Sequence, residues 1–287
     1  MQKIYYTKMH GAGNDFIFVD YKLNPGFEIS ADKIRRLCHR RFGIGADGVI
    51  TISDSNDHNY KMGYYNADGS TGSLCANGAR CSIWFAEKSG RLKNGFARFI
   101  SNGNDYSGEV ISDEFVKFYL NQPSELKTGC SLTTTGIVFN YNFINTGSPH
   151  AVIRISEVKN SDQDKNWKQD LKTFPVFGLG RNIRYHSDFG VAGTNVNFID
   201  IINNEILIRT YERGVEDETL ACGTGSVASA LIGFLKYNLE PPITLITYGG
   251  DKLLVNFSFE NEEYKNLSLT GPAKIVFEGT VEEKFFL

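Results

Sequence analysis

The chain has 287 residues, 41% of them hydrophobic and 22% charged, so it can bury one large core or two ordinary ones. Its net charge is −3 without a basic stripe, which argues against nucleic-acid binding, and no run approaches the ~20 apolar residues of a membrane span. The first residues carry no signal-peptide pattern, and five cysteines without a C-x-x-C pair favour a reducing compartment. These features predict a soluble cytoplasmic protein.

The first part of the chain predicts mixed α and β structure. Aromatic and β-branched residues favour strands at 3–10 and 14–21. The segment ISADKIRRLCHRRFG then predicts a helix with Ser30 as its N-cap and Gly43 just after its end. Further strands are predicted in GVITISD and YKMGYYN, and a Gly/Asn/Asp/Ser cluster at 101–108 indicates turns.

Strand patterns dominate the rest of the chain. They occur in EFVKFYL, GIVFNYNFIN, HAVIRI, NVNFIDI, EILIRTY, ITLITY, KLLVNFSF and AKIVFEG. The polar run at 156–172 is expected to be a solvated loop or a surface helix.

A repeat links the two halves of the chain. SLCANG around Cys75 and LACGTG around Cys222 share C-x-x-G, and each precedes an apolar helix. Each also follows a strand that ends in tyrosine (Tyr65, Tyr211) and then a polar residue. Because these helices lack a wide polar face, we expect each to be wrapped by strands. The sequence therefore predicts an α/β (α+β) fold of two pseudo-symmetric halves, each a strongly curved mixed sheet around a central helix.

A cysteine at a helix N-terminus has two interpretations. It can be a small buried residue, or its pKa can fall from near 8.5 to between about 3.5 and 7.5 and make it a thiolate. If the two halves face each other, one thiolate can remove a proton next to a carboxylate while the other thiol delivers one to the opposite face. The first backbone N–H groups of each helix would bind that carboxylate. This scheme inverts a stereocentre without a cofactor.

Other signals are weaker. The G-x-G-x-x-G at 43–48 follows a helix and enters a strand, the reverse of a dinucleotide fingerprint. Cys38, Cys81 and Cys130 are expected to be structural, and no pattern predicts a metal site. His150 is either a core histidine or the base for one cysteine, with Glu212 as the base for the other.

The motifs HGAGNDF, RRFGIGADG, NADGSTGSLCANGAR, TGSPHAV, GTNVNF and YERGVEDETLACGTG resemble, in order, those of the diaminopimelate epimerases. The resemblance implies a cofactor-independent isomerase that converts LL-2,6-diaminopimelate to the meso form for lysine and peptidoglycan synthesis. It also implies a homodimer and an active site between two domains, 1–120 with 275–287 and 121–274. The last strand would return to the first domain.

The resemblance also implies site residues. Cys75 and Cys222 match the family's acid/base pair. His150 and Glu212 match the groups that tune or deprotonate those cysteines. Side chains that hold the substrate match Asn14, Asn66, Asn195 and Arg213. The backbone pairs that bind the reacting carboxylate match Ala76–Asn77 and Gly223–Thr224.

Three positions depart from the family pattern. Ala76 replaces a glycine, which is tolerable unless its φ is positive. Ser148 stands where many members have asparagine. Gly48 stands where some have a glutamine that touches substrate, and no role is carried over to it.

Alternatives remain open at this level. Another two-cysteine racemase, acting on histidine or a proline derivative, would lack a use for a charged distal clamp around Arg213. A redox or metal-binding module using Cys75 and Cys222, or a pseudoenzyme, would also fit parts of the pattern.

Overall fold

The structure, a computed structural model, describes residues 3–72, 74–160 and 170–286. The chain divides into two compact units. The N-terminal unit comprises Met1–Tyr119 with Thr270–Leu287, and the C-terminal unit is Leu120–Leu269. The boundaries predicted from the sequence lie at 120/121 and 274/275.

The elements of the first 119 residues are β1 (Lys3–Gly11), β2 (Asn14–Asp20), α1 (Ala31–Cys38), β3 (Gly48–Ser53), β4 (Tyr60–Asn66), α2 (Ala76–Lys88), β5 (Phe96–Ser101), β6 (Asn104–Ser112) and β7 (Phe115–Tyr119).

The remaining elements are β8 (Ser124–Thr134), β9 (Ile137–Asn145), β10 (Pro149–Arg154), β11 (Lys159–Asn160), α3 (Val176–Arg184), β12 (Asn195–Ile202), β13 (Glu205–Glu212), β14 (Asp217–Thr219), α4 (Gly223–Tyr237), β15 (Ile243–Ile246), β16 (Lys252–Glu260), β17 (Glu263–Pro272) and β18 (Lys274–Glu282). Short 3₁₀ helices lie at Ile155–Glu157, Leu171–Thr173, Ser187–Phe189 and Glu283–Phe286.

The N-terminal unit contains a mixed sheet. β1 pairs antiparallel with both β18 and β2, and β2 pairs parallel with β3. β3 then pairs antiparallel with β4, and β4 parallel with β5. β5, β6 and β7 complete the sheet as an antiparallel meander. The parallel pairs are joined by α1 and α2, as parallel strands require a crossover connection.

The C-terminal unit repeats this succession. β9 pairs antiparallel with β8 and β10, and β10 pairs parallel with β12 across the segment that carries α3. β12 pairs antiparallel with β13, β13 parallel with β15 across α4, and β15 antiparallel with β16. The same order of antiparallel and parallel pairs, with a helix at each parallel crossover, confirms the predicted pseudo-symmetry.

One helix is buried in each unit. Every residue of α2 from Ala76 to Ala86 is buried, and α2 contacts β1, β2, β6 and β7. In α4, Gly223 and the residues from Gly225 to Gly233 are buried, and the helix contacts β9, β10, β13 and β16. A helix can touch strands from distant parts of one sheet only if the sheet curves around it. The predicted curved sheets with central apolar helices are therefore confirmed.

The predicted first helix is correct at its start and wrong at its end. Ser30 is the N-cap, and its side chain accepts a hydrogen bond from the Lys33 N–H. The helix ends at Cys38 rather than near Gly43, because His39 is extended (ψ 116°) and its Nδ1 accepts the N–H groups of Arg41 and Phe42. A side chain thus replaces the helical acceptors one turn early.

Other boundaries also differ from the predictions. Of the predicted turn region 101–108, only Asn102 and Gly103 form the turn, both with positive φ, and β6 begins at Asn104. In the polar run 156–172, Lys159–Asn160 pair with β9 as β11, and residues 161–169 lie outside the described residues. The sequence did not predict α3, β5, β6, β8, β11, β14 or β17.

Candidate active site

Cys75 occupies the N-cap of α2. Its backbone is extended (φ −97°, ψ 120°), its side chain does not cap the helix, and the first turn holds no acidic residue. The half-buried thiol instead donates to Asn14 Oδ1 at 3.3 Å. Gly78 lets the helix approach the sheet, since a Cβ there would lie 2.9 Å from Ile50 Cδ1. The positive end of the buried helix is therefore directed at the thiol and at whatever binds beside it.

Asn14 is oriented by an asymmetric set of partners. Its Nδ2 donates to Asp47 Oδ2 at 2.7 Å, and a carboxylate can only accept. Its Oδ1 therefore faces α2, where it accepts from Cys75 and from Asn77 Nδ2, the latter at 3.3 Å. The hairpin turn before Asn14 places it there, since Ala12 and Gly13 both have positive φ (54° and 86°) as a two-residue turn requires.

Charged residues hold this carboxamide in place. Arg40 bridges Asp15 and Asp47, at 2.8 and 2.6 Å, and Lys8 donates to Asp15 at 2.6 Å. Burial raises the pKa of Asp47, helped by the charge of Asp15. Burial would also raise the pKa of Asp15, but the hydrogen bonds from Arg40 and Lys8 outweigh it and lower that pKa. Asp15 is thus held ionised beneath the turn that carries Asn14.

The structure also places three further motif positions of this unit. Asn66 ends β4 and donates from Nδ2 to Ser70 Oγ at 3.0 Å. Ala76 is the first residue of α2 and is not among the residues with positive φ, so replacing glycine costs no backbone strain here. Gly48 begins β3, and a Cβ there would lie 2.5 Å from Tyr65 O, so this backbone leaves no room for a larger residue.

Cys222 occupies the equivalent N-cap of α4. Its backbone is also extended (φ −111°, ψ 113°), and its side chain makes no capping bond. The buried sulfur lies 3.6 Å from Thr224 Oγ1. Thr146 Oγ1 donates to Thr224 O at 2.9 Å and fixes the first turn. The two cysteines therefore occupy the same local geometry in the two units, but their side-chain partners differ.

His150, on β10, is fully buried beside this helix. Its Nε2 lies 2.9 Å from Ser148 Oγ and 3.0 Å from Thr224 Oγ1, and its Nδ1 lies 3.1 Å from Asn197 Nδ2. Burial, with the nearby charge of Arg213, lowers the pKa of His150 to about 3. The imidazole is therefore neutral at ordinary pH and a poor base, which disfavours the hypothesis that it deprotonates a cysteine.

Asn195, Arg213 and Glu212 are positioned by the ends of β12 and β13. Asn195 Nδ2 donates to Pro149 O at 2.8 Å, and its Oδ1 accepts the Arg213 N–H at 2.8 Å. Burial lowers the pKa of Arg213, as does the charge of Arg184. Glu212 Oε2 accepts from Thr219 Oγ1 at 2.8 Å. The carboxylate of Glu212, the last residue of β13, is thus followed directly by the cation of Arg213.

Two of the other cysteines, Cys38 and Cys81, are buried. Burial raises the pKa of both Cys38 and Cys81 to about 12. Neither forms a thiolate near neutrality, as expected of structural residues. Within 3–72, 74–160 and 170–286, no group of three or more His, Cys, Asp or Glu side chains could hold a metal ion. No helix in these ranges is both long and apolar enough to cross a membrane.

Several residues that support the site were not predicted from the sequence. Asp47 and Arg40 lie in RRFGIGADG, and Asn197 lies in GTNVNF, both motifs already quoted for the resemblance. Their role depends on contacts between segments far apart in the chain. For Asn197, a polar residue inside an otherwise apolar strand was the available signal, because such a residue needs a buried partner.

Comparison with known proteins gives the family. The family model for diaminopimelate epimerase matches residues 6–120 and 142–276. The chain belongs to this family. A diaminopimelate epimerase from Chlorobaculum tepidum is 40% identical over 276 residues, covering 95% of this chain and 99% of that relative. One from Flavobacterium psychrophilum is 37% identical, covering 96% and 98%.

Membership of the diaminopimelate epimerase family makes the protein an isomerase of the amino-acid epimerase class. A solved hydroxyproline epimerase from Agrobacterium vitis, with trans-4-OH-L-proline bound, has the same fold at a TM-score of 0.67 and 11% identity. That likeness covers 99% of this chain and 94% of the other. The diaminopimelate epimerase fold is therefore shared with epimerases of very different sequence.

Proposed function

We propose that this epimerase inverts one α-carbon of LL-2,6-diaminopimelate to give the meso isomer, for lysine and peptidoglycan synthesis. Cys75 and Cys222 act as a thiolate and thiol pair, and no cofactor takes part. The observation that carries the proposal is the equivalent placement of the two cysteines, each at the extended N-cap of a buried helix. Family membership supports the substrate.

The helix N-termini explain how a weakly acidic C–H is activated. The first backbone N–H groups of α2 and α4, at Ala76–Asn77 and Gly223–Thr224, bind the carboxylate next to the reacting carbon. The first turns hold no acidic side chain that would compete for these groups. As the α-proton leaves, negative charge moves onto that carboxylate, where the same N–H groups stabilise it.

The proton balance is simple. The thiolate sulfur forms an S–H bond with the α-proton on one face of the carbon, and the C–H electron pair is left as a carbanion. The opposing thiol then gives its proton to the other face, and its sulfur is left as the new thiolate. No electron leaves the substrate, so the step needs no oxidant or reductant.

The distal end of the substrate needs charged partners. Diaminopimelate carries a second amino-carboxylate, which Arg213 pairs with, assisted by Asn14, Asn66 and Asn195. Asn195 already fixes the backbone of Arg213. An amino acid without that second group would leave these polar side chains without their ligand, so the site discriminates against it. Glu212 acts as the proton acceptor for one cysteine, whereas His150, being neutral, acts as a hydrogen-bond donor.

Family resemblance further supports a cytoplasmic homodimer. Light scattering on the purified protein measures the dimer. A mass of one chain at working concentration would rule it out.

A substrate panel tests the proposed function. The purified enzyme is assayed with LL-diaminopimelate, L-proline, trans-4-hydroxy-L-proline and L-histidine, in reductant, with and without a chelator. We expect turnover of diaminopimelate alone, unchanged by the chelator. Inversion of a proline or of histidine at a comparable rate would contradict the proposed substrate, and loss of activity with the chelator would contradict the metal-free mechanism.

A further inference from the structure

Asn197 lies on β12 and is fully buried. Its side chain has three partners. Nδ2 donates to Ala151 O at 3.1 Å and lies 3.1 Å from His150 Nδ1, and Oδ1 accepts from Thr210 Oγ1 at 3.0 Å. Burying a carboxamide costs free energy unless both its nitrogen and its oxygen are hydrogen-bonded. A fully hydrogen-bonded buried network specifies one arrangement of its members.

The orientation of this carboxamide follows from Ala151. A backbone carbonyl can only accept, so the atom facing it is the nitrogen. The second hydrogen on that nitrogen then points at His150 Nδ1. His150 Nδ1 must accept it with a lone pair, and the ring hydrogen of the neutral imidazole is therefore on Nε2.

The Nε2–H faces two hydroxyls. Ser148 Oγ lies 2.9 Å and Thr224 Oγ1 3.0 Å from Nε2, and the two hydroxyl oxygens are 3.2 Å apart. With a donor at Nε2, the Thr224 oxygen receives a hydrogen either from His150 directly or from Ser148. In both cases Nε2 does not take the Thr224 hydrogen, which leaves that hydrogen available for the Cys222 sulfur 3.6 Å away.

We propose that Asn197 is a positioning residue that fixes His150 as the Nε2–H tautomer, so that the Thr224 hydroxyl donates to Cys222 Sγ and stabilises its thiolate. The proposal deepens, and rests on, the function proposed for Cys222. Hydrogen bonds to an ionised partner are about twice as strong as neutral ones, so a donor aimed at the sulfur favours the thiolate over the thiol.

The opposite tautomer would reverse the chain. With hydrogen on Nδ1, Nε2 becomes an acceptor, and a hydroxyl hydrogen of Ser148 or Thr224 turns toward it. When that hydroxyl is Thr224, its Oγ1 accepts from the Cys222 S–H and favours the thiol. The carboxamide of Asn197 thus determines whether Nε2 of His150 donates a hydrogen toward Thr224 or accepts one.

The wild-type protein, without substrate, gives the first test. Nitrogen-15 NMR at pH 7 distinguishes the two ring nitrogens of a histidine, and the His150 signals are assigned by their loss in His150→Gln. We expect a protonated Nε2 and an unprotonated Nδ1. An Nδ1–H tautomer or an imidazolium at pH 7 would overturn the proposal, whatever the enzyme's substrate is.

A near-isosteric variant gives the second test. Asn197→Asp replaces the donor to Nδ1 with an acceptor, so the His150 signals should change to the Nδ1–H form or to imidazolium. Asn142→Asp is the matched control, because Asn142 is also buried in this unit but uses its Oδ1 to accept the Gly129 N–H, which a carboxylate can still do. Unchanged His150 signals in folded Asn197→Asp would refute the role of Asn197.

Thr224 links the tautomer to catalysis. Thr224→Val removes the hydroxyl but keeps the backbone N–H, and Thr224→Ser keeps both. We expect kcat/KM to be at least about tenfold lower in Thr224→Val than in Thr224→Ser, with its acidic limb at higher pH. Equal activity and equal pH profiles in the two variants would contradict donation to the sulfur. An enzyme inactive on diaminopimelate but with the expected tautomer would instead contradict only the proposed function.

Discussion

At the scale of single residues, each cysteine has a nearby asparagine whose orientation shapes its surroundings. Asn14 turns an acceptor toward Cys75 because Asp47 holds its nitrogen. Asn197 turns a donor toward His150 because Ala151 holds its nitrogen. The two thiols therefore meet different partners, an amide oxygen in one unit and a hydroxyl in the other. The proposed pair of one thiolate and one thiol benefits from such a difference.

Asp47 should matter for substrate binding because it orients Asn14. In Asp47→Ala, Asn14 loses the partner that orients it, and we expect KM for diaminopimelate to rise about tenfold, the cost of one charge-assisted hydrogen bond. Asp54→Ala is the control, because Asp54 is 74% exposed in the same unit and lies 3.5 Å from Arg91. Steady-state kinetics with equal KM values in both variants would show that Asn14 is held in another way.

His150 should make the protein sensitive to acid. Its pKa is about 3 in the folded protein against 6.5 for an ordinary histidine. Between these two pH values the unfolded chain binds a proton at His150 and the native state does not. The free energy of unfolding therefore falls as the pH drops below 6.5, by up to about 1.4 kcal/mol per pH unit from this residue.

Denaturant unfolding at several pH values measures this contribution. His150→Gln cannot take up the proton, so its stability should fall less steeply than that of wild type between pH 6.5 and about 3. Parallel curves for the two proteins would mean that His150 titrates normally in the fold.

At the scale of elements, glycines decide how closely helices approach the sheets. A Cβ at Gly225 in α4 would lie 2.3 Å from Asn197 Oδ1. Asn197 belongs to the hydrogen-bond network that reaches Cys222. At Gly178 in α3, nothing lies within 4 Å of the equivalent atom. The same substitution should therefore have opposite effects in the two helices.

Chemical denaturation compares these two alanine variants. We expect Gly225→Ala to lose about 1–3 kcal/mol of stability through overpacking and to lose activity as well. Gly178→Ala should gain about 0.5–1 kcal/mol, because alanine restricts the unfolded chain and suits a helix interior. A stabilised, fully active Gly225→Ala would contradict the close packing of α4 against Asn197.

The elements also show what the sequence could and could not reveal. β3, β4 and the buried helices follow from alternation and apolar runs, and Ser30 from its capping chemistry. The helix α3 was missed because VFGLGRNIR contains two glycines, yet Val176, Leu179 and Ile183 share a face and are buried in the core. Gly180 is needed there, since a Cβ would lie 2.5 Å from Tyr211 Cβ. Tertiary packing thus overrides helix propensity.

At the scale of the whole molecule, the topology repeats while the sequence barely does. The two cysteine motifs were detectable because each combines a cysteine, a small-residue turn and an apolar helix. The supports of the site were not, since Asp47 reaches Asn14 and Asn197 reaches His150 only after distant strands pair. β18, the last strand, pairs antiparallel with β1, which adds the C-terminus to the N-terminal unit. Such long-range pairing leaves no local signal in the sequence.

Proton transfer by both cysteines can be followed directly at the substrate carbon. The most direct measurement follows solvent deuterium into the α-carbon of LL-diaminopimelate during turnover by wild type, Cys75→Ala and Cys222→Ala. The control is Cys81→Ala, which removes a fully buried thiol whose pKa is raised to about 12.

Wild type and the control should incorporate deuterium as they form the meso isomer. Each of the other two variants, with its fold intact by circular dichroism, should lose epimerisation by at least about a hundredfold. Inversion without deuterium uptake, or near-normal turnover in Cys75→Ala or Cys222→Ala, would contradict the two-thiol mechanism.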